Sequence, residues 1–187
     1  KINMKKLLTR GLWMLMVLNL MQCGVSVPKG QKSVELPCFQ DKYTSKKKVY
    51  IASGRGISID QGTSRKKAMI NAKTEIATLI KSNIRTLVDD YTISRTVNNQ
   101  EEVKSRFETM TSEAVEQLLV DVQIACQELT YDKKNKQYNS YLALTIDKDN
   151  LASHLSSKLS SEDKKELDMD YNKFRELLDK ETSTDEN

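Results

Sequence analysis

The chain is poor in the residues that most metal and hydrolytic sites need. Its 187 residues include one histidine, His154, and three cysteines. A single imidazole without a cysteine pair or clustered carboxylates makes a poor metal site, so neither a metal nor a cofactor is expected. A lone histidine beside an apolar helix face is also more typical of a surface or partly packed residue than of a catalytic one.

Glycine and proline are scarce as well, with six and two residues. Gly54-Arg55-Gly56 has the form of the start of a dinucleotide-binding fingerprint, but the position of the third glycine holds Ile59. The pattern therefore does not predict nucleotide binding. Instead, the two glycines are expected to permit a tight strand-to-helix turn or a bulge.

The excess of positive charge is confined to the N-terminus. The formal net charge is +4, from 30 basic and 26 acidic residues. Residues 1–22 hold Lys1, Lys5, Lys6 and Arg10 and no acidic residue; without these four, 26 basic side chains balance 26 acidic ones. A neutral remainder argues against a nucleic-acid partner.

The basic N-terminus is followed by a short apolar run, in the order typical of bacterial export signals. The run from Leu12 to Met21 is about half as long as a membrane-spanning helix, which needs about 20 apolar residues. A core helix is the alternative, but core helices rarely open with a basic cluster. Residues 1–22 are therefore predicted to be a signal peptide.

The apolar run ends in Leu20-Met21-Gln22-Cys23, which resembles the lipobox of bacterial lipoproteins. Leu20 and Cys23 fit that pattern, whereas Gln22 stands where Gly, Ala or Ser is usual. The resemblance implies that Cys23 is acylated and anchors the chain in a lipid bilayer, stably if several acyl chains are attached. The alternative is an ordinary signal peptide cut nearby, with Cys23 left as a plain thiol.

The residues after Cys23 indicate a location. Gly24 stands where some lipoproteins carry the Asp that retains them in the inner membrane, and the first acidic residue is Glu35. By resemblance, this favours the periplasmic face of the outer membrane over the inner membrane or the cell surface. Residues 23–45 are predicted to form a flexible tether and an N-terminal arm.

Residues 46–159 have the patterning of a mixed domain. A β-rich run, Val49–Ala52, is followed by two amphipathic helical patterns, a strand alternating from Val120 to Cys126, and a second strand after the polar turn Asp132–Lys136. Three leucines at helical spacing then mark a short helix: Leu151, Leu155 and Leu159. The predicted class is α+β, with a small, largely antiparallel sheet, helices on one face and a C-terminal helix in residues 160–187.

The first helical pattern is about 20 residues long or more. Its small side chains Ala68, Ala72 and Ala77 are expected to let the helix lie close against the sheet. Ser58, with Gln61 three residues later, has the spacing of a capping box and predicts the start of the helix.

The end of this helix is ambiguous in residues 82–98. Apolar residues there fit a continued helix, but Tyr91, Ile93 and Val97 alternate as in a strand. We expect a strand in the second half of this segment.

Several motifs resemble the Lpp-twenty family of bacterial lipoproteins. They are Ala52-Ser53-Gly54-Arg55-Gly56, the helix with Arg65, Ala68, Asn71-Ala72-Lys73 and Ala77, the strand Gln137–Leu144, and the closing helix segment Phe174–Glu181, which is similar to a gut-bacterial branch. The resemblance implies a membrane-associated lipoprotein with a mixed α and β domain. It implies no reaction, because most members have no assigned activity.

Two cysteines remain if Cys23 is acylated. Export places Cys38 and Cys126 in an oxidising compartment, where they are candidates for a disulfide. The bridge would close a loop of roughly 90 residues and contribute about 4–5 kcal/mol in the chain-entropy model. The alternative is two separate buried thiols.

The closing helix, from Ser161 to Lys180, carries a narrow apolar stripe. Its members are Leu167, Tyr171, Phe174 and Leu178. This width is typical of a helix-pairing seam, so the stripe is a candidate interface for an envelope partner or a second copy. The alternative is that the helix folds back onto its own domain.

These observations favour a non-enzymatic, lipid-anchored envelope protein that binds another envelope component. One alternative is an enzyme that uses acidic or tyrosine residues on cell-wall glycan or peptide. Tyr91, Tyr131, Tyr138 and Tyr141 fall on or beside predicted strands and would form a ligand-binding row if exposed, or packing contacts if buried. A third possibility is a structural module that assembles with copies of itself.

Overall fold

The computed structural model describes residues 31–94, 100–161, 164 and 171–184. The chain divides into two compact units, Lys1–Val34 and Glu35–Asn187. The second unit holds a short 3-10 helix (Asp41–Tyr43) and the elements β1 (Val49–Ser58), α1 (Gln61–Ser94), α2 (Gln100–Leu118), β2 (Gln123–Asp132), β3 (Gln137–Asp147), α3 (Lys148–Lys158) and α4 (Tyr171–Thr184). The α+β prediction is confirmed.

The three strands form an antiparallel sheet in the order β1-β3-β2, so β1 and β2 are its edges. The predicted hairpin of β2 and β3 is confirmed. Asp132 closes its turn, because Oδ1 accepts hydrogen bonds from the backbone N–H groups of Lys134 and Asn135 at 2.9 and 3.1 Å. These bonds favour the charged carboxylate, and the backbone bond from Asn135 contributes most to lowering the pKa of Asp132.

Helix α1 lies unusually close to β1. A Cβ at Gly54 would lie 2.5 Å from the carbonyl oxygen of Ala68, and a Cβ at Gly56 would lie 2.5 Å from the backbone nitrogen of Ala68. Ala68 and Ala72 are fully buried, as expected for a close helix–sheet contact. The predicted turn or bulge at these glycines is wrong, because β1 pairs with β3 without a register shift as far as Ser58. The two glycines instead allow the backbone of α1 to approach β1.

The start of α1 differs from the capping-box prediction. Asp60 Oδ1 accepts the backbone N–H of Thr63 at 2.7 Å, while Ser58 ends β1 and its hydroxyl accepts from the Asp60 N–H at 3.2 Å. The bond from the Thr63 N–H is the largest of the contributions that lower the pKa of Asp60. A carboxylate caps the orphan N–H groups of a first turn as well as a serine does, which moves the helix start past Ser58.

The prediction of a strand after residue 90 is wrong for residues 91–94, because α1 continues to Ser94. Ile76, Ile80, Ile84 and Val88 are buried at intervals of four residues, so the helix keeps one apolar face in the core to its last turns. Residues 95–98 of the expected strand lie outside the described residues.

Helices α2, α3 and α4 complete the core on the same side as α1. The predicted leucine face of α3 is confirmed, with Leu151 and Leu155 fully buried and Leu159 nearly so. Lys148, at the start of α3, is buried too; its Nζ donates to the Leu178 carbonyl oxygen at 3.2 Å and lies 4.6 Å from the centre of the Tyr50 ring.

Helix α4 packs into this core, which corrects the predicted interface stripe. Phe174 is 3% exposed and meets the ring of Phe107 edge-on at 6.0 Å, and Leu178 is fully buried. Both side chains therefore pack inside their own domain, because α4 covers an apolar surface that the sheet and the preceding helices leave open. Leu167 and the side chain of Tyr171 lie outside the described residues.

The N-terminal arm covers part of the opposite face of the sheet. Cys38 and Cys126 are joined in a disulfide, the pairing considered from the sequence, and Cys38 packs with the buried Tyr141 and Ala143. The Ser53 hydroxyl donates to the Cys38 carbonyl oxygen. The bridge therefore ties the arm to β2, across the central strand β3.

Candidate functional site: the open edge of the sheet

The three candidate tyrosines whose side chains the structure describes do not form an exposed row. Tyr141 is 6% exposed beneath the arm, whereas Tyr131 and Tyr138 pair with their ring centres 4.9 Å apart. The side chain of Tyr91 lies outside the described residues. Tyr131 remains exposed and belongs to the edge strand β2.

The other candidates from the sequence are dispersed. His154 Nδ1 lies 3.1 Å from Gln117 Oε1 on the surface. Within the described residues, no group of three or more His, Cys, Asp or Glu side chains is placed to hold a metal ion. Cys23, the predicted lipidation site, lies outside those residues.

A groove of about 940 Å³ runs between α1 and α2. Its charged side chains bridge the two helices: Arg85 Nη2 lies 2.6 Å from Glu108 Oε1, and Lys104 Nζ lies 2.7 Å from Asp89 Oδ1. The hydrogen bond to Asp89 is the main cause of the raised pKa of Lys104. Because these opposite charges neutralise one another, the groove is better explained as a helix–helix contact than as a ligand site.

The two edges of the sheet offer a sharper contrast. At β1, Ile51 has its outward backbone groups covered by one side chain, because its N–H donates to Ser45 Oγ at 2.9 Å and its carbonyl accepts from the same hydroxyl at 3.2 Å. Val49 exchanges two backbone hydrogen bonds with Lys46, at 2.8 and 3.2 Å. The arm thus blocks the first half of this edge.

The second half of the β1 edge is blocked from α1. Asn71 Nδ2 donates to the Arg55 carbonyl oxygen at 2.8 Å, and Lys67 Nζ donates to the Ile57 carbonyl oxygen at 3.2 Å. An added strand would have to displace these side chains, so β1 is protected against edge-to-edge pairing.

The outward groups of β2 follow from the register. Opposed residues of antiparallel strands alternate between hydrogen-bonded and non-bonded pairs. Ile51 faces away from β3, so its opposite residue Thr145 faces β2, as does every second residue of β3. The N–H and C=O groups of Gln127, Leu129 and Tyr131 therefore point away from the sheet.

No hydrogen bond from the described residues reaches these outward groups of β2. A bulge between Ile124 and Cys126 shifts the register, and the regular stretch runs from Cys126 to Asp132. Leu129 is 39% exposed, and Tyr131 and Ile124 are each 49% exposed. The strand has no proline, lysine or arginine, the residues that commonly guard an edge.

Sequence reasoning placed this strand but not its exposure. The alternation from Val120 to Cys126 predicted a half-buried strand, whereas nearly all of β2 is exposed, because α1 packs on β1 and β3 and its hydrogen bond from Arg65 Nη2 to Gln127 Oε1, at 3.1 Å, does not bury the strand. The bulge also breaks the alternation after Ile124. The consecutive polar residues Gln127 and Glu128 were the available signal.

Comparison with models of known protein families and with curated proteins finds no match to the chain. The resemblance to the Lpp-twenty family therefore stays a prediction. In the described ranges, no helix combines the length and apolar character needed to cross a bilayer.

Proposed function

We propose that this chain is a non-enzymatic binding or assembly module of the cell envelope, and that its binding surface is the open edge of β2. The outward backbone groups of Gln127, Leu129 and Tyr131 carry the proposal. They can receive one further extended strand, with main-chain hydrogen bonds for affinity and alternate side chains for specificity.

The proposed location depends on the N-terminal sequence. The basic and apolar residues 1–22 and the lipobox-like Leu20–Cys23 support export and acylation of Cys23, with the periplasmic face of the outer membrane as the favoured site. A lipid anchor would hold the module at the bilayer surface and raise its local concentration there.

The chemistry of the edge favours binding over catalysis. The backbone amide and carbonyl groups of the edge form hydrogen bonds, and the side chains of Leu129 and Tyr131 offer apolar contacts. Glu128 carries a carboxylate, but residues 127–131 hold no second carboxylate, histidine or cysteine to act with it. An enzyme acting on cell-wall glycan or peptide stays an untested alternative from the sequence.

Photocrosslinking in intact cells tests the proposal. A photoreactive amino acid at position 129 is expected to give a discrete adduct in the membrane fraction. The matched control is position 57 on the blocked edge, where Ile57 is 39% exposed, the same as Leu129. Equal adducts from both positions, or none from position 129, would overturn the proposed binding surface.

The anchor needs its own measurement. Detergent phase partition and mass spectrometry of the N-terminal peptide are expected to show lipid mass on Cys23. A mature N-terminus elsewhere, with no lipid, would refute the anchor but leave the binding edge to be judged by crosslinking.

A further inference from the structure

We propose that the strand that fills the open edge is β2 of a second copy of this chain. The inference rests on the proposed function, and it names the partner for the same surface. Two copies would join their β2 strands antiparallel, about a two-fold axis through Leu129, to give one continuous six-stranded sheet.

The position of the axis follows from the outward groups. A strand that pairs with its own copy hydrogen-bonds only through residues whose backbone groups point outward, here Gln127, Leu129 and Tyr131. Leu129 is the midpoint of the regular stretch from Cys126 to Asp132. An axis at Leu129 therefore pairs the whole stretch, from the bulge to the hairpin turn.

The side chains are complementary in this register. Leu129 meets Leu129 of the second copy, and Gln127 lies opposite Tyr131 of the second copy. On the other face, Glu128 lies opposite Thr130 of the second copy, whose hydroxyl is a donor to the carboxylate. No two like charges lie directly opposite one another.

The neighbouring registers are worse. An axis moved by one residue towards the N-terminus sets Glu128 against Glu128 of the second copy. The opposite move sets Glu128 against Asp132 of the second copy. Directly opposed like charges destabilise strand pairing, so the two acidic side chains select the register centred on Leu129.

The helix layers leave room for this arrangement. An axis perpendicular to the sheet keeps the helices of both copies on one face, where α1 packs on β1 and β3 and touches β2 through the Arg65 side chain, whose Nη2 donates to Gln127 Oε1 at 3.1 Å. The side chains of β2 are exposed on both faces, except for the partly covered Cys126 and Asp132. The second copy can therefore approach β2 without displacing an element of the first.

Sedimentation of the full chain in detergent tests the inference. The wild-type chain is expected to dimerise with rising concentration. Leu129→Lys sets two like charges on the axis and is expected to raise the dimer Kd at least about tenfold. Ile57→Lys, at an equally exposed site on the blocked edge, should leave the Kd unchanged.

A second variant tests the register. Thr130→Lys places a positive charge opposite Glu128 of the second copy twice, so the dimer is expected to tighten by about two- to tenfold. With the axis at position 130 instead, the same variant would oppose two lysines and weaken the dimer. Circular dichroism would show that each variant keeps its fold.

Three results would overturn the inference: a chain that stays monomeric at all concentrations, equal effects of Leu129→Lys and Ile57→Lys, or a dimer that Thr130→Lys weakens. The mass of the photoadduct from position 129 separates this failure from that of the proposed function. Twice the mass of the chain supports a second copy. Any other discrete mass supports edge binding and refutes self-pairing.

Discussion

The two edge strands of the sheet have the same length, ten residues each, but they differ in whether their outward backbone groups have hydrogen-bond partners. On β1, Ser45, Asn71 and Lys67 hydrogen-bond to outward groups. On β2, no hydrogen bond from the described residues reaches such groups. The comparison shows that an edge is guarded by side chains from elsewhere in the chain rather than by the sequence of the strand itself.

Side-chain exposure alone would miss this difference. Ile57 on β1 and Leu129 on β2 are equally exposed, at 39% each. The carbonyl of Ile57 is occupied by Lys67, whereas the outward groups of Leu129 lack a partner among the described residues. Backbone satisfaction therefore distinguishes a protected edge from one able to accept a strand.

Removal of the disulfide is expected to have the largest effect on stability, because the bridge ties the arm that guards β1 to the strand β2. Replacing Cys38 and Cys126 together with alanine is expected to lower the free energy of unfolding by about 4 kcal/mol, from the loss of a closed loop with a sequence separation of 88 residues. Urea unfolding measures this loss. Reduction of the wild-type chain should reproduce it, and two free thiols in the unreduced chain would contradict the bridge.

Close packing of α1 on the guarded strand gives the next largest effect. Gly56→Ala would drive a Cβ into the backbone of Ser64 and Ala68, with an expected loss of about 3 kcal/mol. Gly62→Ala is the matched control, because its Cβ would meet only Asp60 Oδ1, at 3.4 Å, and a better helix former should stabilise the chain by about 0.5–1 kcal/mol. Equal melting temperatures for both variants would contradict the close approach.

The sequence predicted elements better than edges. Hydrophobic spacing was sufficient for the α+β class, the hairpin and the leucine face of α3, because these depend on local periodicity. It wrongly predicted a strand for residues 91–94, which are helical, because a short alternating pattern was preferred to the continuation of a long apolar helix face. The burial of that face is a property of the assembled core.

The candidate site was less accessible to sequence reasoning. Which strand is central and which are edges depends on the pairing of β1 with β3, whose partners lie far apart along the chain, as Val49 and Asp147 do. The Ser45 and Asn71 guards likewise act on residues distant from them along the chain. Glu128, by contrast, is a local signal of exposure that the alternation from Val120 to Cys126 did not take into account, because a charged residue rarely faces a core.

Removal of one guard should make the two edges more alike. Ser45→Ala leaves the Ile51 N–H without its acceptor, so amide exchange at Ile51 is expected to accelerate about fivefold, matching a hydrogen bond of about 1 kcal/mol. The amide of Leu129 should already exchange fast in the monomer. Protection of Leu129 equal to that of Ile51 at low concentration would contradict the contrast between the edges.

The smallest effect is expected at the hairpin turn that ends the open strand. The pKa of Asp132 is lowered from its ordinary 3.8, chiefly by the Asn135 backbone N–H, so its contribution to stability is present above that value and is lost as the pH falls through the lower folded value. Asp132→Asn should therefore destabilise the hairpin at neutral pH and approach the wild type in acid. The free energy of unfolding of both proteins, measured at closely spaced pH values from 2 to 6, shows this convergence as a shrinking difference between them. Acid destabilisation that is common to both proteins does not contribute to that difference. A difference between the two proteins that stays constant with pH would show that the charge of the turn does not stabilise the hairpin.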